Sequence, residues 1–505
     1  MQDVVLGVLP GVAGQPGTWD LLMGSLPVVA AGASSLLLLL LAPFVRKPRV
    51  LATLSLGLLA ACGYAVYFLW ELGGKVTPAT MLSSDRLALF FDGLFLLAAA
   101  LVIAQSPAYL EKKGAHKGEY YGLVLISVAG MMILASATNF LTFYLGLETM
   151  SIAFYVLAGF VRTHENSVES SLKYFLLGAF SSSFLLFGMA LLYGSSGSLE
   201  FGGLAAALSA EFFQFGKPMA LFGFFLFLVG LFFKLSLVPF HFWAPDVYQG
   251  APTPFSALMA VGGKSAAAAA AIRVFLSVFA ASPLLSAKWF TLLAGVGIIT
   301  IFVGSMIALT QRHMKRLLAY SSIVHAGFIA LGLGGLAILP KTYAQSMLEA
   351  VVFYLAAYLF MNVGAFAVAA ALEPPGSMDE PIRAYSGLGS SAPLLAGLFS
   401  LLFFSLAGIP LTAGFIGKFK IFGALVQSGY YALAAWGFLG AVLATYYYLR
   451  VVVTLYFPPP SEETAQAPRL APSTWVVLAI VCSATLYLGI FPGLLSDAIS
   501  GLGIG

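Results

Sequence analysis

The stretch FFKLSLVPFHFW, residues 232–243, decides how this chain of 505 residues is read. It closes an apolar run that begins near Leu221, and it carries Lys234 and, five residues on, Pro239. If that run crosses a bilayer, the lysine costs about 3 kcal/mol on insertion scales. The proline removes a helical hydrogen bond and clashes with the preceding turn. Membrane spans tolerate such a break where it is sheltered by protein or lines a hydrated cavity.

The rest of the chain has the composition of a membrane protein. Hydrophobic residues make up 60% and charged residues 9%, with a mean hydropathy of +0.97, whereas ordinary soluble domains carry about 25% charge. Apolar runs of about 18 residues or more, the length a bilayer demands, recur throughout. They do not alternate as barrel strands do. The fold class is therefore an all-α polytopic membrane protein. Cys62 and Cys482 are the only cysteines and stand far apart, which excludes cysteine-ligated iron–sulfur clusters and a disulfide framework. The five histidines (116, 164, 241, 313 and 325) are too scattered for a di-haem bundle. No glycine-rich phosphate loop and no basic, aromatic-interleaved patch for nucleic acid is present. The opening MQDVVLGVLPGV lacks a basic n-region and does not read as a cleaved signal peptide.

Apolar runs between polar or Pro/Gly breaks give about fourteen helices, near 21–44, 50–71, 87–108, 120–137, 140–160, 172–193, 219–240, 254–276, 289–310, 317–337, 344–371, 391–426, 430–455 and 473–493. With both termini outside, cytoplasmic loops receive fourteen basic residues: Arg46, Lys47, Arg49, Lys112, Lys113, Lys117, Arg162, Lys173, Arg312, Lys315, Arg316, Arg383, Arg450 and Arg469. The outer side receives six, Lys75, Arg86, Lys217, Arg273, Lys288 and Lys341. This asymmetry obeys the positive-inside rule and would scramble if one helix were missed.

Four lysines remain, Lys234, Lys264, Lys418 and Lys420, of which the first three fall inside spans. The fifth span, NFLTFYLGLETMSIAFYVLAGF, holds Glu148, and the tenth, LLAYSSIVHAGFIALGLGG, holds His325 behind a Tyr-Ser-Ser cluster. An isolated buried Ser or His is ordinarily interhelical glue, but such contacts yield only about 1 kcal/mol and do not offset burying ammonium groups on three helices. The pattern points to a proton or ion pathway. Lysine suits it, because desolvation and a nearby carboxylate pull its proton affinity in opposite directions. The seventh and twelfth spans each combine a lysine with a proline, Lys234 with Pro239 and Lys418 with Pro410. Lying five spans apart, they run in opposite directions, as in two inverted five-helix repeats with a broken helix each. Spans four to eight and nine to thirteen make up the repeats. The expected divisions are residues 1–118, a three-helix segment; 119–276 and 277–456, the repeats; and 457–505, a loop and final helix.

The segments FYLGLETMSIAFYVLAGF (143–160), SSLKYFLLGAFSSSFLLFGMALLYGSSGS (170–198), FKLSLVPFHFWAPDVYQGAPTP (233–254), RLLAYSSIVHAGF (316–328) and SLAGIPLTAGFIGKF (405–419) resemble the subunit N family of respiratory complex I, mitochondrial NADH dehydrogenase subunit 2 included. The likeness runs over roughly residues 20–495. It implies an antiporter-like proton-pumping subunit of NADH:quinone oxidoreductase, a translocase, with proton-transfer roles for Glu148, its partner Lys234, Lys264, His325 and Lys418. It implies no cofactor on this chain, with NADH, FMN, iron–sulfur clusters and quinone at the level of the complex. The implied partners are subunits M, K and J, lipid and protons, in a bacterial inner membrane. In the thirteenth span, LGAVLATYYYLR, the family would lead one to expect more serine before the tyrosines. No amphipathic lateral helix follows the fourteenth span, which argues against subunit L. A subunit of an Mrp-type Na⁺/H⁺ antiporter or of a membrane-bound hydrogenase would share several of these motifs.

Overall fold

The computed structural model describes residues 18–73, 81–209, 216–337, 341–378, 380–461, 464 and 470–502; Lys75 and Arg469 of the charge count lie outside them. Three helices lead, α1 (Thr18–Leu41), α2 (Pro48–Glu71) and α3 (Arg86–Lys112). Then come α4 (Glu119–Ser136), α5 (Phe140–Ala158), α6 (Glu165–Ser196), a short α7 (Phe201–Ser209), α8 (Lys217–Leu235), α9 (Trp243–Gly250) and α10 (Thr253–Leu258). A π-helical turn at Met259–Gly263 joins α10 to α11 (Lys264–Ser277). The chain continues through α12 (Pro283–Thr310), α13 (Met314–Gly335), α14 (Lys341–Leu372), α15 (Leu388–Ser391), α16 (Pro393–Ala407), α17 (Ala413–Gln427) and α18 (Tyr431–Tyr456). It closes with α19 (Pro472–Ile490) and α20 (Gly493–Ser500). Among the described residues there are three isolated bridges and no strand.

Thirteen segments among the described residues are long and apolar enough to span a membrane. The fourteenth span is α16 and α17 together, each 15 residues and individually too short to cross. The chain is thus a multi-pass integral membrane protein. Its centre is α13 and α14, buried around nearly their whole circumference. Leu36, Tyr64, Phe180, Trp436 and Phe438 on the outer helices stand exposed, which suits lipid rather than water. Connections gather at two ends. One, here the basic end, carries the ion pairs Arg49–Glu111, Lys113–Glu373 and Arg316–Asp246. The other carries Asp85–Arg273 and the bridges Leu82–Ala137 and Asn139–Glu200.

The two broken spans stop in the same way. At the end of α8, Ser236 turns left-handed (φ 60°), and Leu237 N–H reaches back to Phe232 O at 2.8 Å. At the end of α16, Gly408 does the same (φ 88°), and Ile409 N–H bonds Phe404 O at 2.9 Å. Both are six-to-one helix closures that satisfy orphan carbonyls, and a proline follows each. The seventh span therefore ends at Leu235, not near residue 240, and resumes as α9, which the apolar pattern does not reveal. Lys234 sits in the last turn of α8, beside the break, rather than in mid-helix.

Close crossings also repeat. A methyl on Gly130 of α4 would lie 2.4 Å from Met150 N of α5, and one on Gly327 of α13 would lie 2.9 Å from Gly297 O of α12. Only glycine lets these backbones meet, as small residues do at membrane helix contacts. The first two helices of each predicted repeat thus touch through glycine pairs.

Candidate functional site

The five residues singled out from sequence lie on α5, α8, α11, α13 and α17, and four of the five are enclosed. Lys234, Lys264, His325 and Lys418 are between 0% and 6% exposed. Glu148 is half-buried.

Lys234 Nζ donates to Ser151 Oγ at 2.6 Å, and Ser151 in turn donates to Leu147 O. Glu148 lies one turn back on α5 and accepts from Ser182 Oγ of α6 at 2.6 Å. The expected pair is therefore close but not in contact: each charge is held by a serine. Two aromatic rings flank the ammonium, Tyr155 at 5.7 Å and Phe233 at 5.8 Å. The break itself is braced by Trp243 of α9, whose indole N–H donates to Phe233 O at 3.1 Å and whose ring stacks on Tyr174 at 4.5 Å.

Lys264 opens α11 directly after the π-helical turn, a distortion often found at functional sites. Its Nζ donates to Ser322 O of α13 at 2.6 Å. Ser322 Oγ lies 3.5 Å from Tyr248 OH of α9. One turn along α13, His325 has both ring nitrogens engaged, Nδ1 by Tyr354 OH at 2.5 Å and Nε2 by Tyr448 OH at 3.1 Å. A neutral imidazole can donate through one nitrogen and accept through the other, so this ring can pass a proton between two helices. Tyr448 also meets Ser321 Oγ at 2.5 Å. The tyrosines of the thirteenth span thus supply the polar lining that serine was expected to give.

Lys418 closes the axis. Its Nζ donates to Leu406 O and Ala407 O at 2.8 and 2.9 Å, the last carbonyls of α16, and lies 5.2 Å from the Phe328 ring. A cation at a helix C-terminus sits at the negative end of the helix dipole, so the break holds the lysine it was associated with in sequence. An apolar cleft of about 770 Å³, walled by Phe415, Phe419, Phe438 and Val442, reaches down to it.

Two further clusters stand at the basic end. Asp246 of α9 accepts from Lys173 at 2.9 Å and Arg316 at 2.7 Å, tying α6 to α13. Glu373, just past α14, is fully buried against Lys113 at 2.8 Å, Tyr109 OH at 3.0 Å and Thr253. Burial would raise its carboxyl, but Lys315 and Lys113 outweigh it and the carboxyl is lowered. The sequence does not mark Glu373, which borders a polar loop, nor Tyr248, Tyr354 and Tyr448, since aromatic residues in an apolar span have the pattern of packing. Among the described residues no group of three or more His, Cys, Asp or Glu is gathered for a metal ion.

Two broken helices of opposite direction and a buried lysine–histidine axis between them define the class, an antiporter-like membrane subunit. The family model for NADH:quinone oxidoreductase/Mrp antiporter transmembrane proteins matches residues 137–444. A NADH-quinone oxidoreductase subunit N from Trichlorobacter lovleyi is 42% identical over 475 residues, covering 93% of this chain and 94% of its own length. Another, from Paramagnetospirillum magneticum, is 41% identical over 464 residues, covering 90% and 93%. Among solved structures, a chain of respiratory complex I from Thermus thermophilus with bound aureothin is 33% identical, covers 94% of this chain and 100% of its own, and superposes with a TM-score of 0.78. The chain belongs to the NADH-quinone oxidoreductase subunit N family.

Proposed function

We propose that this chain is the proton-translocating subunit N of a NADH:quinone oxidoreductase, and that Glu148, Lys234, Lys264, His325 and Lys418 carry the proton. The observation that supports this most directly is the enclosed set Lys264, His325 and Lys418, with Lys264 on the Ser322 carbonyl, His325 between Tyr354 and Tyr448, and Lys418 on the carbonyls of a broken helix. The proposed divisions are residues 1–118, 119–276, 277–456 and 457–505, with the broken spans in the two middle units. The basic end faces the cytoplasm and both termini face outward, in a bacterial inner membrane. Subunits M, K and J are the neighbours. Chemistry on NADH, FMN, iron–sulfur clusters and quinone belongs to other chains of the complex.

A proton loads Lys234 when Glu148 closes on it and leaves when Glu148 returns to Ser182. Moving one charge against 100 mV takes about 2.3 kcal/mol. A change of two units in proton affinity supplies about 2.7 kcal/mol, so displacing one carboxylate is adequate in size. Lys264 receives the proton across the π-helical turn, and the His325 ring hands it from the Tyr448 side to the Tyr354 side. Lys418 delivers it to one aqueous phase when α17 shifts and its ammonium leaves the α16 carbonyls.

The test uses vesicles holding the whole complex. Lys234→Ala and Lys264→Ala should depress quinone reduction and proton uptake together, with the complex still assembled. Lys234→Arg should be as poor, because arginine keeps its charge but does not release a proton. Normal pumping by Lys234→Arg would replace a titrating lysine with a fixed charge.

A further inference from the structure

Outside the lysine axis, a further ionisable group is buried in mid-helix, Asp92 of α3. It is 3% exposed, lies inside a membrane span, and its Oδ1 makes no hydrogen bond. A buried polar atom without a partner is rare enough to require a reason, and an ionisable group at such depth is ordinarily functional.

Its surroundings supply the reason. Asp85 caps α3 by accepting from Ala88 N–H at 2.8 Å. Arg273 of α11 grips Asp85 through both terminal nitrogens at 2.7 and 2.8 Å, and its Nε donates to Ala135 O at the end of α4. Asp92 stands seven residues along the same helix, two turns or about 10.5 Å deeper. Burial weighs most on its charge, with Arg273 and Asp85 acting on it in opposite senses. Since α3 and α11 run in opposite directions, Asp92 lies in depth between the Arg273 pair and Lys264, which is nine residues before Arg273. The guanidinium is thus fully committed to Asp85 and the Ala135 carbonyl. In a dry interior the second carboxylate is far less costly with a proton on it.

We propose that Asp92 is a proton-binding residue on a branch that leaves the axis near Lys264 and reaches the outer face past Arg273 and Asp85. This deepens the function proposed above and rests on it. A proton from the Lys264 side binds Asp92. When Arg273 swings from Asp85 to Asp92, a new ion pair forms and that proton is expelled outward. Asp85 can be left alone because its side chain is 36% exposed, whereas Asp92 has no such contact with solvent.

The experiment is infrared difference spectroscopy of the whole complex during turnover on NADH, which reads the C=O stretch of a carboxylic acid. Wild type should show a carboxyl band that is lost in Asp92→Asn and shifted in Asp92→Glu, while Asp92→Asn also moves fewer protons per electron. Should Asp92→Asn not assemble, the band shift in Asp92→Glu decides alone. Spectra identical to wild type in the variants would overturn the proposal. Failure of the axis is separate: it would appear as normal pumping in Lys264→Ala, whatever the Asp92 band does.

Discussion

At the scale of single residues, the chain separates charges held in an ion pair from charges held by neutral groups, such as Glu148 and Lys234 on serines and Lys418 on carbonyls. Asp85 is of the first kind. Burial opposes its charge, but the Arg273 guanidinium, with hydrogen bonds from Ala88 and Ser83, pulls the carboxyl down from 3.8 to about 2. A carboxylate lowered on folding adds stability above its unfolded value and surrenders it as pH falls through the folded one. The Asp85 contribution should thus be complete above about pH 4 and fade towards pH 2. Melting of the solubilised complex should show Asp85→Asn less stable than wild type at pH 6, with the difference closing in acid. A gap that persists at pH 2 would mean that packing, not charge, explains the loss. Lys234, Lys264 and Lys418 were legible in sequence because an ammonium in an apolar run has no ordinary excuse. Asp92 carries the same signal as Glu148, yet lacks the flanking motif that draws the eye. The serines that hold Glu148 and Lys234 apart were not legible, since Ser151 and Ser182 look like any small residue in a span.

At the scale of elements, the breaks do the positioning. Pro239 and Pro410 marked both interruptions, because proline removes a helical hydrogen bond, although α1 and α3 run on through Pro27 and Pro107. The resumption of the seventh span as α9 was hidden, since eight residues starting at Trp243 resemble a loop by composition. What holds the second break in place is α19. A methyl on Gly489 would come within 2.4 Å of Leu411 O, and Leu411 itself sits at φ 69°, a conformation that costs a bulky residue about 1–3 kcal/mol. Gly489→Ala should push the loop between α16 and α17 off its seat. Overpacking of this sort costs about 1–3 kcal/mol, and the Lys418 carbonyl cradle should loosen with it. The expected result is a lower melting temperature and weaker pumping, with Gly493→Ala as control, because nothing lies within 4 Å of a methyl there. Equal behaviour of the two variants would detach α19 from the function of the break.

At the scale of the whole molecule, alternation of the spans fixes everything else, since the inverted relation of the two broken helices follows only if no span is missed. The structure gathers Arg162, Arg312 and Arg383 with the basic end through neighbouring contacts, His164 to Gly376 O and the bridge from His313 to Pro381. Met81 and Glu200 lie at the other end, beside the bridges to Ala137 and Asn139. All five positions are exposed, and the two native cysteines are buried and unpaired. Single cysteines at these places can therefore be read with little background. In sealed inverted vesicles, where the cytoplasmic face points outward, an impermeant thiol reagent should label 162, 312 and 383. It should reach 81 and 200 only after the membrane is opened. Labelling of 81 and 383 from the same side would break the alternation and, with it, the opposed directions of α8 and α16 on which a two-repeat pump depends.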